Sequence, residues 1–263
     1  MNLRASSVLT GWGAGLAAIP ADVVGAARSR TVVPLDPRPR RDDRLRRATR
    51  ECLLGIDAVE ALLEDAGLDR GMLAGPETAL LYVTAAAYGA SNRTFVEGGG
   101  GALHFPYTAP SAVPAEVAIE FGMCGPYAVV IGGAAATIDA MAHASRLLAR
   151  GACARAIVLA VETFVECEAL HHRGGTAPAG PMVEAAAAAL FEPGEPGLTI
   201  PRRVVSEPGG FACAPLMALA RASAEAVAVE VRGQWRGRDA GLTVGIAEAA
   251  RSRAAEVAAG KET

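Results

Sequence analysis

The sequence predicts a layered α/β fold built on a mainly parallel or mixed sheet. Two observations lead to this prediction. Strand-length apolar runs alternate with helical segments, and hydrophobic residues make up 51% of the 263 residues whereas aromatic residues make up only 5%. Continuous apolar strands are typical of a sheet that helices cover on both faces. The small side chains, mainly Ala and Gly, favour helices packed closely on such a sheet, and the chain is long enough to bury a substantial core.

Hydrophobic period and turn residues place the individual elements. Over residues 45–65, apolar side chains recur at three- and four-residue steps, which predicts an amphipathic helix that ends at Gly67. Residues 185–191, which begin with five consecutive alanines, are predicted as a strand, although a helix stays open. The other predicted elements are strands over 7–12, 78–84, 127–131 and 154–161, helices over 114–121, 134–150 and 214–226, a flexible loop over 98–101, a hairpin of strands 227–232 and 241–246, and a frayed end over 251–263.

Charge and cysteine content exclude several classes of protein. The net charge of -3 gives no electrostatic reason for a nucleic-acid partner. The basic run over 38–50 contains Asp42 and Asp43, which indicates a solvated surface segment. Five widely spaced cysteines without a CxxC pair indicate reduced, mostly buried thiols. No stretch reaches the roughly 18 apolar residues of a membrane span, so we expect a soluble, cytoplasmic protein without membrane contact.

An ordered set of short motifs covers residues 8–192. The motifs are VLTGWG at 8–13, LEDAGL at 63–68, FPYTAPSAVP at 105–114, IEFGMCGP at 119–126, ARG at 149–151 and AIVLAVE at 156–162. Their order and spacing resemble the N-terminal half of the β-ketoacyl synthases. The resemblance implies a thiolase-like layered α/β fold with a shortened C-terminal part. It also implies a synthase-like domain over 1–197 and a short C-terminal remnant over 198–263 packed on the same domain.

The position of the family's nucleophile is occupied by an alanine. In active members, a cysteine at the start of a helix follows the Gly-Pro pair at a fixed distance, and the helix N-terminus lowers its pKa. The same distance from Gly125 leads to Ala134, within an elbow of Gly132, Gly133, Ala134 and Ala135. A shift of one residue reaches only Gly133 or Ala135. An alanine methyl cannot attack a thioester, so the resemblance assigns no catalytic residue.

The second departure from the family concerns histidine. Active synthases use two histidines from their C-terminal half, which assist decarboxylation of the extender unit and stabilise the developing enolate. Residues 209–220 resemble one C-terminal helix of the family, but they contain no histidine. None of the chain's four histidines can be carried over to those roles, namely His104, His143, His171 and His172.

Four residues near the elbow are candidates for an acyl tunnel or for a dimer surface. Phe105 and Tyr107 precede the elbow in the sequence, and Met141 and His143 lie on the predicted elbow helix. The resemblance, and not a motif of their own, makes them candidates. They are therefore expected to act by shape and contact.

Two cysteines and one glycine-rich stretch are alternative candidates for a functional site. Cys124 is expected to be a small buried core thiol. Cys213, near a Gly-Gly turn at a helix start, is the better candidate by local electrostatics, although we expect no nucleophilic role for it. The glycines of 11–15 do not complete a dinucleotide-binding fingerprint, because the fingerprint requires a third glycine at position 16, which is Leu16.

One cluster has residue types that suit zinc. It consists of Glu166, Cys167, Glu168, His171 and His172. Adjacent histidines point in different directions, and the spacing matches no known ligand pattern. We therefore expect a solvated loop, with no metal and no cofactor.

The resemblance implies a non-catalytic, chain-length-factor-like subunit of a type II polyketide or fatty-acid synthase system. Such a subunit pairs with an active ketosynthase, and we expect a heterodimer or a homodimer whose surface is formed by the sheet edge and the elbow region. An acyl carrier protein is the other expected partner. Two alternatives stay open: an acyltransferase or decarboxylase that acts on carrier-protein thioesters, and a scaffold that binds a carrier protein or an acyl chain without a catalytic partner.

Overall fold

The computed structural model describes residues 1–98, 101–164, 168, 180–194, 204–207, 211–223 and 226–259. The strands are β1 (Asn2–Thr10), β2 (Gly13–Ala14), β3 (Val32–Val33), β4 (Thr78–Thr84), β5 (Tyr127–Ile131), β6 (Arg155–Glu162), β7 (Met182–Val183), β8 (Ala185–Glu192), β9 (Val204–Val205), β10 (Ala228–Trp235) and β11 (Arg238–Ile246). The helices are α1 (Val23–Ala27), α2 (Arg50–Ala66), α3 (Gly89–Glu97), α4 (Ala112–Phe121), α5 (Ala134–Ala149), α6 (Ala214–Ala222) and α7 (Glu248–Ala259), with 3₁₀ turns at Leu16–Ala18, Asp43–Arg47, Arg70–Leu73 and Phe105–Thr108.

A mixed sheet connects most of the described strands. Its order is β5-β4-β6-β8-β1-β11-β10-β9, and β2 pairs with the end of β1. Strand β4 is parallel to β5 and β6, whereas β8 is antiparallel to β6 and β1. Strands β3 and β7 form a separate parallel pair. The strands predicted over 78–84 and 127–131 are confirmed with the same bounds.

The alanine run forms strand β8 at the centre of the sheet, and not a helix. Ala187 pairs with Val8 of β1 on one side and with Ala160 of β6 on the other. Alanine is the best helix former, but here the backbone joins a strand on each edge, and tertiary pairing overrides the local propensity. All five alanines of 185–189 are buried, so their small side chains let helices approach both faces.

Alternate residues of the central strands supply two separate cores. In β4, Leu80 packs in the core with α2 and α4, whereas Leu81 packs in the core with α5. A Cβ atom on Gly55 of α2 would lie 2.9 Å from Cγ1 of Val113 in α4, so the glycine allows these two helices to pack closely. The layered α/β class that the sequence predicts is confirmed.

Helix α5 is covered by strands on two sides. One side packs on β4 and β6, and the other contacts β10 and β11. Strand β11 pairs with β1 only at Asn2 and Leu3. Beyond that point the β10–β11 hairpin leaves the edge of β1 and lies over α5, which therefore forms a layer between the main sheet and the hairpin.

The C-terminal hairpin is longer than the sequence predicts. Its strands pair up to Trp235 and Arg238, and the turn between them consists of Arg236 and Gly237, with φ of 48° and 81°. Positive φ at both central residues is the pattern of a type I′ turn, whose twist matches that of the strands. The predicted first strand ends at Arg232, whereas β10 continues through Gly233, because a strand tolerates a glycine where another backbone lies close to it.

The structure differs from the prediction at several helices, among them α1 (Val23–Ala27), which was not predicted. Helix α3 (Gly89–Glu97) was not predicted. Helix α7 lies where a frayed end was predicted, because its residue Ala250 is buried and the N of Ala247, just before the helix, donates to O of Leu3. Helix α2 begins at Arg50, since residues 43–47 form a 3₁₀ turn instead. Among the described helices, none combines the length and the apolar character that a membrane crossing requires.

Candidate functional site

The elbow joins the end of β5 to the start of α5. The N of Gly132 donates to O of Thr84 in β4 (2.9 Å), and the N of Ala136 donates to O of Gly133 (2.9 Å). A Cβ atom on Gly132 would lie 2.8 Å from the Cβ of Ala136, so this turn requires a glycine. The chain thus keeps a strand-turn-helix geometry that places Ala134 at the first position of α5.

The first residues of α5 are buried beneath strand β10. Ala134 and Ala135 are each 2% exposed. A Cβ atom on Gly233 would lie 2.6 Å from the carbonyl O of Ala134 and 3.0 Å from its Cβ. A side chain does not fit at this distance from a backbone oxygen, so glycine allows β10 to cross the helix start. The chain's own C-terminal hairpin therefore covers the elbow.

Two polar contacts hold the C-terminal elements on α5. Arg238, at the hairpin turn, donates through both terminal nitrogens to the carboxylate of Asp139 (2.5 and 2.8 Å). This bidentate geometry is the strong form of an Arg–carboxylate pair, although the pair is exposed. The buried Oγ1 of Thr137 donates to O of Ala212 (2.7 Å), which directly precedes the N-cap of α6. These contacts fix the N-terminal half of α5 against the hairpin and α6.

The carboxylate of Glu162, the last residue of β6, joins separate segments. It accepts hydrogen bonds from N of Ala85 (2.9 Å), Ala86 (3.1 Å) and Ala212 (3.1 Å) and from Oγ1 of Thr84 (3.2 Å). Burial raises the pKa of Glu162 to about 7, although these hydrogen bonds oppose the shift. A carboxylate that titrates near neutral pH therefore lies at the carboxyl ends of β4 and β6.

Three further carboxylates, those of Glu51, Asp57 and Glu184, are buried within the described residues. Glu184 accepts a hydrogen bond from N of Phe164 (2.7 Å) and pairs with Arg50. Glu51 is buried as well, and its burial raises its pKa. No motif of the sequence points to these carboxylates. Glu162 and Glu184 share a signal that could have found them in the sequence: each is an acidic residue at the end of, or directly before, a continuous apolar strand.

The structure does not bring the four candidate tunnel residues together. Met141 is fully buried in the core between α5 and the sheet. Tyr107 packs against the core on the opposite face, where its OH donates to Glu116 (3.0 Å). Phe105 is 64% exposed, and His143 is exposed on α5. Met141 and Tyr107 therefore do not line a common tunnel within this chain, and a role of the exposed residues in a dimer surface stays a prediction.

The two cysteines that were weighed as nucleophiles lie in opposite environments. Cys124 is exposed, and not buried as the sequence analysis expected. Cys213 is buried at the N-cap of α6, with Sγ 3.4 Å from O of Ala185 and 3.5 Å from O of Ala160. Burial raises the pKa of the Cys213 thiol well above its ordinary value. A thiol in this environment is not an activated nucleophile.

The zinc-type cluster cannot be placed as a whole. Glu166, Cys167, His171 and His172 lie outside the described residues, and Glu168 lies within them. In the part of the chain that the structure describes, no group of three or more His, Cys, Asp or Glu side chains is arranged to hold a metal ion.

Comparison with known protein families identifies the class of this protein. Residues 35–187 match the model of the β-ketoacyl synthase N-terminal domain. The chain therefore belongs to the β-ketoacyl synthase family, and the thiolase-like layered fold that the motifs implied is confirmed. A search of curated protein sequences gave no match.

Solved structures with a similar fold are ketosynthases. The ishigamide ketosynthase/chain length factor has a TM-score of 0.57 and 21% identity, over 75% of this chain and 63% of that one. A ketosynthase in complex with its type II polyketide synthase acyl-carrier protein and bound to the hexaketide has a TM-score of 0.58 and 17% identity, over 73% and 62%. A β-ketoacyl synthase from Burkholderia phymatum has a TM-score of 0.56 and 14% identity, over 74% and 59%. These identities establish the fold alone, and this chain spans about three fifths of the length of each structure.

The contact at Gly233 predicts a cost for any side chain there. We expect Gly233→Ala to lower the free energy of unfolding by about 1–3 kcal/mol, because the added methyl overpacks against the backbone of Ala134. Urea denaturation measures this change. Gly241→Ala is the matched control in the same hairpin, since its Cβ would meet the flexible end of Glu230 at 3.3 Å. Equal stabilities of the two variants would contradict the close packing of β10 on the elbow.

The pKa of Glu162 predicts a pH-dependent stability. This pKa, about 7 in the folded protein, lies above the ordinary value of 4.5, so the folded state binds the proton more tightly. The free energy of unfolding should therefore fall as the pH rises, by about 2 kcal/mol between pH 5.5 and pH 8. Glu162→Gln cannot ionise and keeps an oxygen acceptor, so it should lack this part of the loss.

Urea denaturation at pH 5.5, 7 and 8 tests this difference. The exposed Glu77→Gln variant is the control and should follow the wild type at each pH. Parallel pH profiles of the wild type and the Glu162→Gln variant would show that Glu162 does not titrate in this range.

Proposed function

We propose that this chain is a non-catalytic, chain-length-factor-like subunit of a type II polyketide or fatty-acid synthase system. The observation that carries the proposal is the covered elbow, where Ala134 occupies the position of the family nucleophile and β10 packs on it at Gly233. A condensing enzyme brings an acyl thioester to a thiolate at this point. In this chain the elbow has neither the reactive group nor the open space, so its contribution is to shape the site of a partner.

The proposed partner is an active ketosynthase, whose active-site tunnel this chain would complete and whose product length it would limit. The acyl carrier protein that delivers substrate to the ketosynthase is the second partner. Two of the solved structures with a similar fold support this choice, since their names describe a ketosynthase/chain length factor and a ketosynthase with its acyl-carrier protein.

Strand β5 offers a surface for the pairing. It is the last strand on its side of the sheet, and within the described residues only β4 pairs with it. Its terminal side chains, Tyr127 and Ile131, are 62% and 50% exposed. An uncovered strand edge with exposed apolar side chains is a typical site of pairing with another chain. We therefore place the subunit contact at the β5 edge, next to the elbow that follows it.

The covered elbow predicts that a restored nucleophile stays inactive. We expect the Ala134→Cys variant to form no acyl intermediate and no condensation product, because β10 covers the new thiol and residues 209–220, which resemble a C-terminal helix of the family, contain no histidine. Mass spectrometry after incubation with acyl- and malonyl-carrier protein measures both products. A working synthase would overturn the non-catalytic assignment.

A second measurement on the same variant tests the cover itself. Iodoacetamide should alkylate the new thiol far more slowly than the exposed Cys124 of the same molecule. Equal rates of alkylation would show that the elbow is open, whatever the activity of the variant.

The β5 edge predicts which substitutions break the pairing. Co-expression with an active type II ketosynthase should give a stable heterodimer in size-exclusion chromatography. The double variant Tyr127→Lys/Ile131→Lys should weaken it at least about tenfold, which corresponds to about 1.4 kcal/mol. Val24→Lys is the control, since Val24 is 66% exposed on α1, which is not part of the sheet that contains β5. Recovery of only an inert homodimer, with unchanged products of the ketosynthase, would contradict the proposal.

A further inference from the structure

A cleft with a volume of about 650 Å³ lies along strand β1 and does not include the elbow. The strand forms its floor, and its walls come from the turn Leu16–Ala18, the C-terminal end of α2, and helices α6 and α7. A volume in this range is typical of sites that bind ligands. Nothing in the proposed pairing uses this cleft.

The floor of the cleft is an open strand edge. Strand β1 pairs with β11 only at Asn2 and Leu3, and further along the same edge O of Val8 accepts a hydrogen bond from N of Gly15 (2.7 Å). Between these points, residues 5–7 pair with β8 on their other side, and Arg4 lies at a register shift in that pairing. On the side of the cleft, no strand of the described residues pairs with residues 4–7. At about 3.3 Å per residue, the open edge is about 13 Å long, which fits four residues of an extended chain.

The polar lining of the cleft is mainly positive. Arg4 makes no ion pair with a carboxylate of the described residues. Arg221 uses Nε to bond Glu207 (2.6 Å), and Arg253 uses one terminal nitrogen to bond O of Asp65 (2.9 Å). Asp65 is the acidic residue among the lining residues, and Glu207 pairs with Arg221 from outside the lining, so three guanidinium groups stand against two carboxylates. Arginine binds carboxylates strongly because its planar group donates two parallel hydrogen bonds.

The remaining lining is dominated by small apolar side chains. Ala14, Ala17, Ala220, Ala250 and Ala254 all border the cleft. Methyl groups leave room for a guest's own side chains and still exclude water from a guest that fills the space. An open strand edge, a positive rim and small apolar walls occur together in this cleft.

We propose that this cleft binds a short, extended, acidic peptide, which adds as a strand to the open edge of β1. The edge pairs with the backbone of the peptide, as in other cases of strand addition. Arg4, Arg221 and Arg253 bind its carboxylates, and the alanine walls admit small apolar side chains between them. The specificity is therefore for an acidic segment in a β conformation, and not for a free anion.

Fluorescence polarisation with the whole chain tests the proposal. The probe is a fluorescein-labelled pentapeptide of sequence Ala-Glu-Val-Glu-Ala, and saturable binding is expected. Two control peptides are needed: one with Lys in place of Glu, and one with N-methylated backbone nitrogens. Each should bind at least tenfold more weakly. Equal binding of the N-methylated peptide would overturn strand addition, and absence of saturable binding would overturn the site.

Matched variants locate the binding. Arg4→Gln and Ala17→Trp should each weaken it at least tenfold, the first by removing charge and the second by filling the cleft from an exposed position. Arg150→Gln and Ala115→Trp are the controls, since both positions are exposed on other elements. Wild-type affinity in both cleft variants would overturn the location. Competition by free glutamate or inorganic phosphate at the concentration of the peptide would show a small-anion site and overturn the peptide assignment.

Discussion

The contact between Gly233 and Ala134 is the constraint on which the rest of the candidate site depends. Backbone packs on backbone there, since a Cβ atom on Gly233 would lie 2.6 Å from the carbonyl O of Ala134. A side chain at position 233 would move the hairpin. The hairpin is fixed at its turn by Arg238 and Asp139 and at its base by pairing with β1. The elbow and the C-terminal elements therefore form one packing unit, and a change in one requires a change in the other.

Glu162 joins the same parts of the molecule from the ends of the central strands. Its carboxylate binds the loop after β4 through Ala85 and Ala86 and the start of α6 through Ala212. A buried carboxylate costs free energy when it is charged, and its hydrogen bonds offset only part of that cost. An apolar residue could not satisfy three backbone N–H groups. Glu162 therefore connects two segments that contact the elbow and α5, namely the end of β4 at Thr84 and the start of α6 at Ala212, whereas close backbone packing covers the elbow itself.

Much of the sheet could be predicted from the sequence, because its strands are apolar runs between turn residues. Strands β4 and β5 have the predicted bounds, and counting from Gly125 placed Ala134 at a helix start. The cover on that helix was not predictable, because Gly233 interrupts its own strand in the local pattern and is explained only by a contact with a residue distant in sequence. The open edge at residues 4–7 likewise depends on where β11 leaves β1, which no local pattern encodes.

The environment of Cys213 indicates that a covered elbow is compatible with an unreactive residue at position 134. Like Ala134, it lies at the start of a helix, where the helix dipole stabilises a thiolate by about 1 kcal/mol at most for an ordinary site. Burial works against the thiolate by up to several pKa units, at about 1.4 kcal/mol each. In Cys213 burial wins, and its pKa is raised. A thiol beneath β10 at position 134 would face the same balance. A reactive cysteine needs an open elbow, whereas an alanine at position 134 allows β10 to pack on the helix start.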